Sequence, residues 1–284
     1  MSGSGTFSSL RWSPSGDRLA YLSNTEGKTQ LFVQWLDGGE TAKVTTLPES
    51  PRSIVWSPDG KHIAFTRFVP SPPPKLADMP AKPKGAKWAE PATVVDRMTF
   101  RFDGGGYLPT GNQQVFVVPA DGGTPRQMTS GDYPISGSVS WMPDSQSIIF
   151  SSNRREDVEY HPRQNDLYAA SLVTGELTQM TDHAGPESDP AVSPNGRYLA
   201  YTSAADTRQG YNRSDLRIMD LTSGESRSLT ADLDRSVSDI QWSANSKDVW
   251  IRYNDLGVAR IAEVDLKGNL KQADIVLGGT ALGR

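Results

Sequence analysis

The chain of 284 residues contains no cysteine and only three histidines. The first absence excludes a disulfide framework and thiolate metal sites, while leaving the compartment open between periplasm and cytoplasm. The second leaves His62, His161 and His183 far apart, without metal-ligand spacing. No run of about 18 apolar residues suggests a membrane span, and no amphipathic helical pattern of useful length appears. Excess positive charge is missing too: the net charge is -4, which gives no basic footprint for nucleic acid. There is no Gly-x-Ser-x-Gly elbow and no strand–elbow–helix context to hold one, so acyl-transfer chemistry cannot be assembled from this chain. No cofactor is expected.

What is present is a word repeated five times. It reads WSPSGDRLAYLS from Trp12, WSPDGKHIAFTR from Trp56, WMPDSQSIIFSS from Trp141, VSPNGRYLAYTS from Val192 and WSANSKDVWIRY from Trp242. In each copy an apolar strand end meets a turn in which Pro presets the first position, Asp bonds locally and Gly takes positive φ. A short β-branched, aliphatic and aromatic run follows, as a buried strand requires. Each hairpin precedes a second one, such as LFVQWLDGGETAKVTTL from Leu31 or VFVVPADGGTPRQMTSG from Val115. Four antiparallel strands per repeat predict an all-β fold, a β-propeller of four-stranded blades. Five blades are expected at about 8–48, 52–130, 137–182, 188–231 and 238–277. A single blade cannot bury both faces, so Trp12, Trp56, Trp141 and Trp242 are expected to wedge between blades as scaffold.

Two stretches break the repeat. Between Trp56 and Val115 an insertion over about 68–113 holds a Pro-rich half followed by TVVDRMTFRFDGGGYLPTG. The lysines Lys75, Lys82, Lys84 and Lys87 sit in the Pro-rich half as a solvated cluster. The glycine run after Asp103 lacks the Gly-Lys-Ser/Thr ending of a phosphate cradle and is expected to close a hairpin. The other stretch is SSNRREDVEYHPRQNDLY, which packs Arg154, Arg155, Glu156, Asp157 and Glu159 between two strands. This loop reads either as a solvated ion-pair cluster or as a pore-facing loop that grips a charged ligand end. In the first reading the two arginines neutralise the acids locally.

The ordered set FRFDGGGYLPTG, VFVVPADGGTPRQMTSGDY, SSNRREDVEYHPRQNDLY and SPNGRYLAYTSAADTRQGYNRSDLRIMDL resembles the propeller of bacterial prolyl oligopeptidase family serine peptidases, of the acylaminoacyl-peptidase and dipeptidyl-peptidase type. The likeness runs through nearly the whole chain. It implies a propeller of seven or eight blades, preceding an α/β-hydrolase domain that carries the catalytic serine, aspartate and histidine. None of those three can be placed on residues here. The start MSGSGTF is not a signal peptide, and both ends look excised, so the chain is expected to be a fragment. The resemblance implies a non-catalytic, substrate-gating role: the partners are the hydrolase domain of the parent chain and a short peptide. Candidate substrate-binding residues are Arg154, Arg155, Glu156, Asp157 and Glu159, with Arg101, Asp103 and Tyr107 of the insertion; no metal ligand is expected. The rival readings are a free-standing TolB-like protein-binding propeller and a self-sufficient five-bladed ring. If the blades form an open arc, exposed terminal faces imply self-association.

Overall fold

The computed structural model describes residues 5–72, 77, 80–89, 92–275, 277 and 278. It contains five four-stranded antiparallel sheets in sequence along the chain, the blades of a β-propeller. Blade 1 comprises β1 (Phe7–Trp12), β2 (Arg18–Ser23), β3 (Gln30–Trp35) and β4 (Thr41–Lys43). Blade 2 comprises β5 (Pro51–Trp56), β6 (His62–Pro70), β9 (Gly111–Pro119) and β10 (Arg126–Gln127), and its excursion carries the small hairpin β7 (Arg101–Phe102) and β8 (Gly106–Tyr107). Blade 3 follows with β11 (Ile135–Trp141), β12 (Ser147–Ser152), β13 (Asp166–Ser171) and β14 (Leu177–Gln179). Blade 4 has β15 (Glu187–Val192), β16 (Tyr198–Ala204), β17 (Ser214–Asp220) and β18 (Ser226–Ser228). Blade 5 has β19 (Val237–Trp242), β20 (Asp248–Asp255), β21 (Val258–Asp265) and β22 (Leu270–Gln272).

The second strand of blades 2, 3 and 4 is buried on both faces because both are covered. In blade 2, Ile63 and Phe65 pack with Leu22, Leu31 and Val33 of blade 1, whereas Ala64 and Val117 on the opposite face pack with Val139, Ile148 and Phe150 of blade 3. Blades 3 and 4 meet through Ile149, Leu167, Leu199 and Tyr201, and blades 4 and 5 through Ala200, Ile218, Val249 and Ile251. Among the described residues no such cluster joins blade 5 to blade 1. The hydrophobic core is therefore a series of seams, each shared by two neighbours.

The same polar contact recurs at three of these seams. The indole Nε1–H of Trp56 donates to the Arg11 carbonyl in blade 1 at 3.0 Å, that of Trp141 to the Val55 carbonyl in blade 2 at 3.2 Å, and that of Trp242 to the Ala191 carbonyl in blade 4 at 2.8 Å. A buried indole needs such an acceptor. Trp56 and Trp141 are 7% and 5% exposed. Trp12 departs from the expected wedge: among the described residues no blade packs over it, and it is 62% exposed. Blade 4 carries Val192 at the equivalent position, and Ser140 Oγ there accepts the Val192 N–H at 3.1 Å.

The strand before each turn is irregular in a recurring way. Ser9, Ser53, Asp189 and Asp239 take φ of 54°, 51°, 52° and 54°, and the pairing register shifts at each of them. These are β-bulges, which bend and twist a strand locally. A second recurring device fastens the outer strand. Thr45, Thr129, Thr181 and Thr230 each accept, through the side-chain hydroxyl, the backbone N–H of Leu31, Val115, Leu167 and Leu216 in turn, all at 2.9 to 3.0 Å.

The wedges make a stability prediction. Trp56→Ala and Trp141→Ala are each expected to cost about 3–5 kcal/mol, as for a fully buried large aromatic, while Trp12→Ala, already solvated, costs a small fraction of that. Urea midpoints of the three variants test this, and equal midpoints for all three contradict it.

Candidate functional site

In an antiparallel blade the connections alternate between two ends. The SPDG-type turns and the Gly turns lie at one end, so the loops between second and third strands all emerge at the other. That second rim collects the excursion of blade 2 (71–110), the charged loop of blade 3 (153–165) and the loop of blade 4 (205–213).

The excursion leaves the scaffold without disturbing it. Strands β6 and β9 stay in register from His62↔Pro119 to Pro70↔Gly111, and the neck is closed by Ser71 N–H donating to the Thr110 carbonyl at 3.0 Å and Thr110 Oγ1 to the Ser71 carbonyl at 2.8 Å. Gly111 is required there: it has φ of 133°, and a Cβ would stand 2.3 Å from the Val69 carbonyl oxygen. The returning half then docks toward blade 3. Arg97 Nη2 lies 2.5 Å from Asp132 Oδ2, Asn112 Nδ2 donates to Asp132 Oδ1 at 2.6 Å, and the Met98 N–H donates to Glu159 Oε2 at 3.3 Å. The Arg97 guanidinium, then Asn112, hold the Asp132 carboxyl below its usual range.

Arg154 and Arg155 of the charged loop do not neutralise its acids. Arg154 is half-buried, its guanidinium carbon 4.4 Å from the centre of the Tyr133 ring and 5.7 Å from that of Tyr168, a cation–π sandwich. Burial lowers its pKa, but a guanidinium remains charged. Arg155 turns to Asp166 Oδ2 at 3.6 Å and Asp182 Oδ1 at 3.3 Å. Glu156, Asp157 and Glu159 are left exposed without either arginine. Asp157 Oδ2 lies 3.4 Å from His161 Nε2, and Glu156 and Glu159 share a cavity of about 420 Å³ with Asp96 and Arg97.

Of the insertion candidates, Arg101, Asp103 and Tyr107 all sit on the β7–β8 hairpin, whose turn is closed by the Gly105 N–H donating to the Phe102 carbonyl at 3.1 Å. The Tyr107 ring faces Phe100 with centroids 6.1 Å apart. Among the described residues these three make no ion pair or side-chain hydrogen bond with the acids of the charged loop. The structure brings Glu156 and Glu159 together with Asp96 and Arg97, residues not singled out from sequence.

Asp132, Tyr133, Asp166, Tyr168, Asp182 and Glu187 were also missed. One signal was readable: the residue just before the threonine-clamped position of the third strand is Gln30 and Gln114 in blades 1 and 2 but Asp166 and Asp215 in blades 3 and 4. The glutamine Oε1 accepts the clamping threonine hydroxyl, at 2.9 Å for Thr45 and 2.6 Å for Thr129. The aspartates face arginine instead, Asp166 with Arg155 and Asp215 with Arg213 at 3.0 Å. That position is where the rim's positive charges are anchored in the blades. Beside it, Glu187 is 2% exposed and its Oε2 has no hydrogen-bond partner. Burial pushes its carboxyl up from the usual range, and burial likewise raises Asp166.

The raised Glu187 value fixes a sign. A folded-state pKa above the unfolded one means that the folded form binds the proton more tightly, so this group's contribution is most favourable at low pH. It is lost as pH rises from the unfolded value of a glutamate through the elevated folded one. Glu187→Gln is therefore expected to flatten the stability decline over that interval and to raise the urea midpoint at pH 7 relative to the parent. A midpoint lowered at pH 7 as much as at pH 4 contradicts this.

Residues 87–209 match the family model described as the dipeptidyl peptidase IV (DPP IV) N-terminal region. The chain is 26% identical over 277 residues to dipeptidyl-peptidase 5 of Porphyromonas gingivalis, covering 92% of this chain and 39% of that relative. Among solved structures it is similar to Pyrococcus horikoshii acylaminoacyl peptidase, with a TM-score of 0.68 at 18% identity over 96% of this chain and 39% of that one. It is also similar to a putative TolB from Agrobacterium tumefaciens, with a TM-score of 0.60 at 21% identity over 94% of this chain and 80% of that one. The chain thus spans less than half the length of the peptidase relatives it matches.

Proposed function

This chain is a β-propeller domain of the kind carried by prolyl oligopeptidase-family peptidases, and from that premise we propose that it is the substrate-gating, non-catalytic part of a serine peptidase acting on short peptides. The hydrolase domain of a longer parent chain is the partner, seated over the rim of long loops. The observation that carries the reading is the inward commitment of Arg154 and Arg155, which leaves Glu156 and Glu159 open to a cation at a cavity between the insertion and blade 3. A free α-ammonium group fits two carboxylates at such a place, and a charge-assisted hydrogen bond contributes roughly 1.5–3 kcal/mol where it is desolvated.

A second reading, a TolB-like binding propeller, draws support from the share of the putative TolB that the chain covers. The insertion favours the peptidase reading. The family-model match begins within it at residue 87, and a plain binding propeller has no evident need of a docked excursion.

Two outcomes test the proposal. The isolated chain is expected neither to hydrolyse dipeptidyl or acylaminoacyl chromogenic substrates nor to take a fluorophosphonate label; stoichiometric labelling of a serine overturns the non-catalytic part. In a chain extended through a downstream hydrolase domain, Glu159→Gln is expected to lower kcat/KM about tenfold on free-amine peptides, the discount for partial exposure included. N-acetylated peptides keep the parent rate. Equal loss on both substrates returns the acids to a solvated surface.

A further inference from the structure

The loops 153–165 and 205–213 carry five arginines, and three are committed to the scaffold. Arg154 is sandwiched between tyrosines, Arg155 lies against Asp166 and Asp182, and Arg213 pairs with Asp215 and donates to the carbonyls of Thr230 and Ala231. Arg163 and Arg208 make neither an ion pair nor a side-chain hydrogen bond among the described residues. Both line one cavity of about 610 Å³ between the blade 3 and blade 4 loops, with Gln164, Asp206 and Asn212 as further polar walls. Its single carboxylate is already engaged: Asp206 Oδ2 accepts from Gln164 Nε2 at 3.0 Å, and that bond holds its carboxyl below the usual range. The cavity therefore sets two guanidiniums against one occupied carboxylate, on a chain whose net charge is -4.

Forked guanidinium donors match a carboxylate. What selects a peptide among carboxylates is the neighbouring cavity. Pro162 lines both this basic cavity and the acidic one of Glu156 and Glu159, so opposite charges abut across one residue. A short unblocked peptide carries opposite charges at its two ends. We propose that Arg163 and Arg208 form a carboxylate subsite for short peptides, adjoining the acidic subsite. The proposal rests on the function proposed above only for the direction of the peptide, amine toward Glu156 and Glu159 and carboxylate toward the arginines. An inorganic anion uses the basic cavity alone, and the test separates the two.

The test is calorimetric titration of the chain as it stands with tri- and penta-alanine in free, N-acetylated, C-amidated and doubly blocked forms. Amidation is expected to weaken binding about tenfold in the parent, the scale of one partly solvated charge-assisted contact, and less than twofold in the double variant Arg163→Gln, Arg208→Gln. Both positions are exposed, and an unchanged urea midpoint checks that the variant is folded. An amidation effect that is absent, or equal in parent and variant, overturns the carboxylate subsite. So does inorganic phosphate binding as tightly as the peptides with the same dependence on the two arginines, which reduces the cavity to a general anion site. An acetylation effect that is absent while the amidation effect persists overturns the amine assignment of the preceding section and leaves this one standing. No binding by any peptide at millimolar concentration overturns both.

Discussion

A four-stranded blade has two apolar faces and can satisfy neither alone. Everything else in this chain follows from that constraint. It explains why Ile63 and Phe65 point one way and Ala64 and Val117 the other, why each core cluster belongs to two blades, and why the repeat is spelled with a tryptophan. The indole supplies area and, through its N–H, one directional bond to the neighbouring strand. Apolar burial is non-directional, so hydrogen bonds of this kind, with others such as Asp59 N–H to Ser145 Oγ, help fix how one blade sits against the next. Trp12 displays the same ring without a neighbour in place.

The seams were legible in the sequence because turns and two-faced apolar runs are local. Pro, Asp and Gly punctuate the hairpins, and alignment of the copies reveals the blades. The bulges were not legible: Ser9, Ser53, Asp189 and Asp239 take positive φ without a glycine to announce it. The threonine clamps were visible in principle, since VT, MT, MT and LT recur at matched places. Their role depends on a strand 14 residues earlier in the chain. The charged loop was the hardest part. Its composition shows five charged side chains within six residues, but which are neutralised depends on Tyr133, Tyr168, Asp166 and Asp182, all outside the loop.

That division of the charged loop has an electrostatic logic. Arg154 and Arg155 are spent on structure, tying the loop to rings and to the buried Asp166 carboxylate, where pairing offsets part of the desolvation that raises its pKa. The acids remain solvated and therefore cheap to maintain unpaired. A loop built this way is held by its cations and presents its anions. The loop of blade 4 divides its arginines by the same logic, anchoring Arg213 and leaving Arg208 without an ion pair among the described residues.

The unbroken pairing of β6 with β9 beneath the excursion carries a further consequence. Because both strands are already held in register, the excursion's ends are brought together by the sheet, and lengthening it costs only chain-closure entropy. Between the connection at 24–29 in blade 1 and that at 71–110 in blade 2, the logarithmic dependence on loop length amounts to about 1.7 kcal/mol. Thirty-odd extra residues thus weigh no more than one modest core substitution. Such a rim can be elaborated by insertion at any of its second-to-third connections while the seams below register almost nothing, so length polymorphism is expected to concentrate at that end of the propeller and to be scarce at the end closed by the tight SPDG turns.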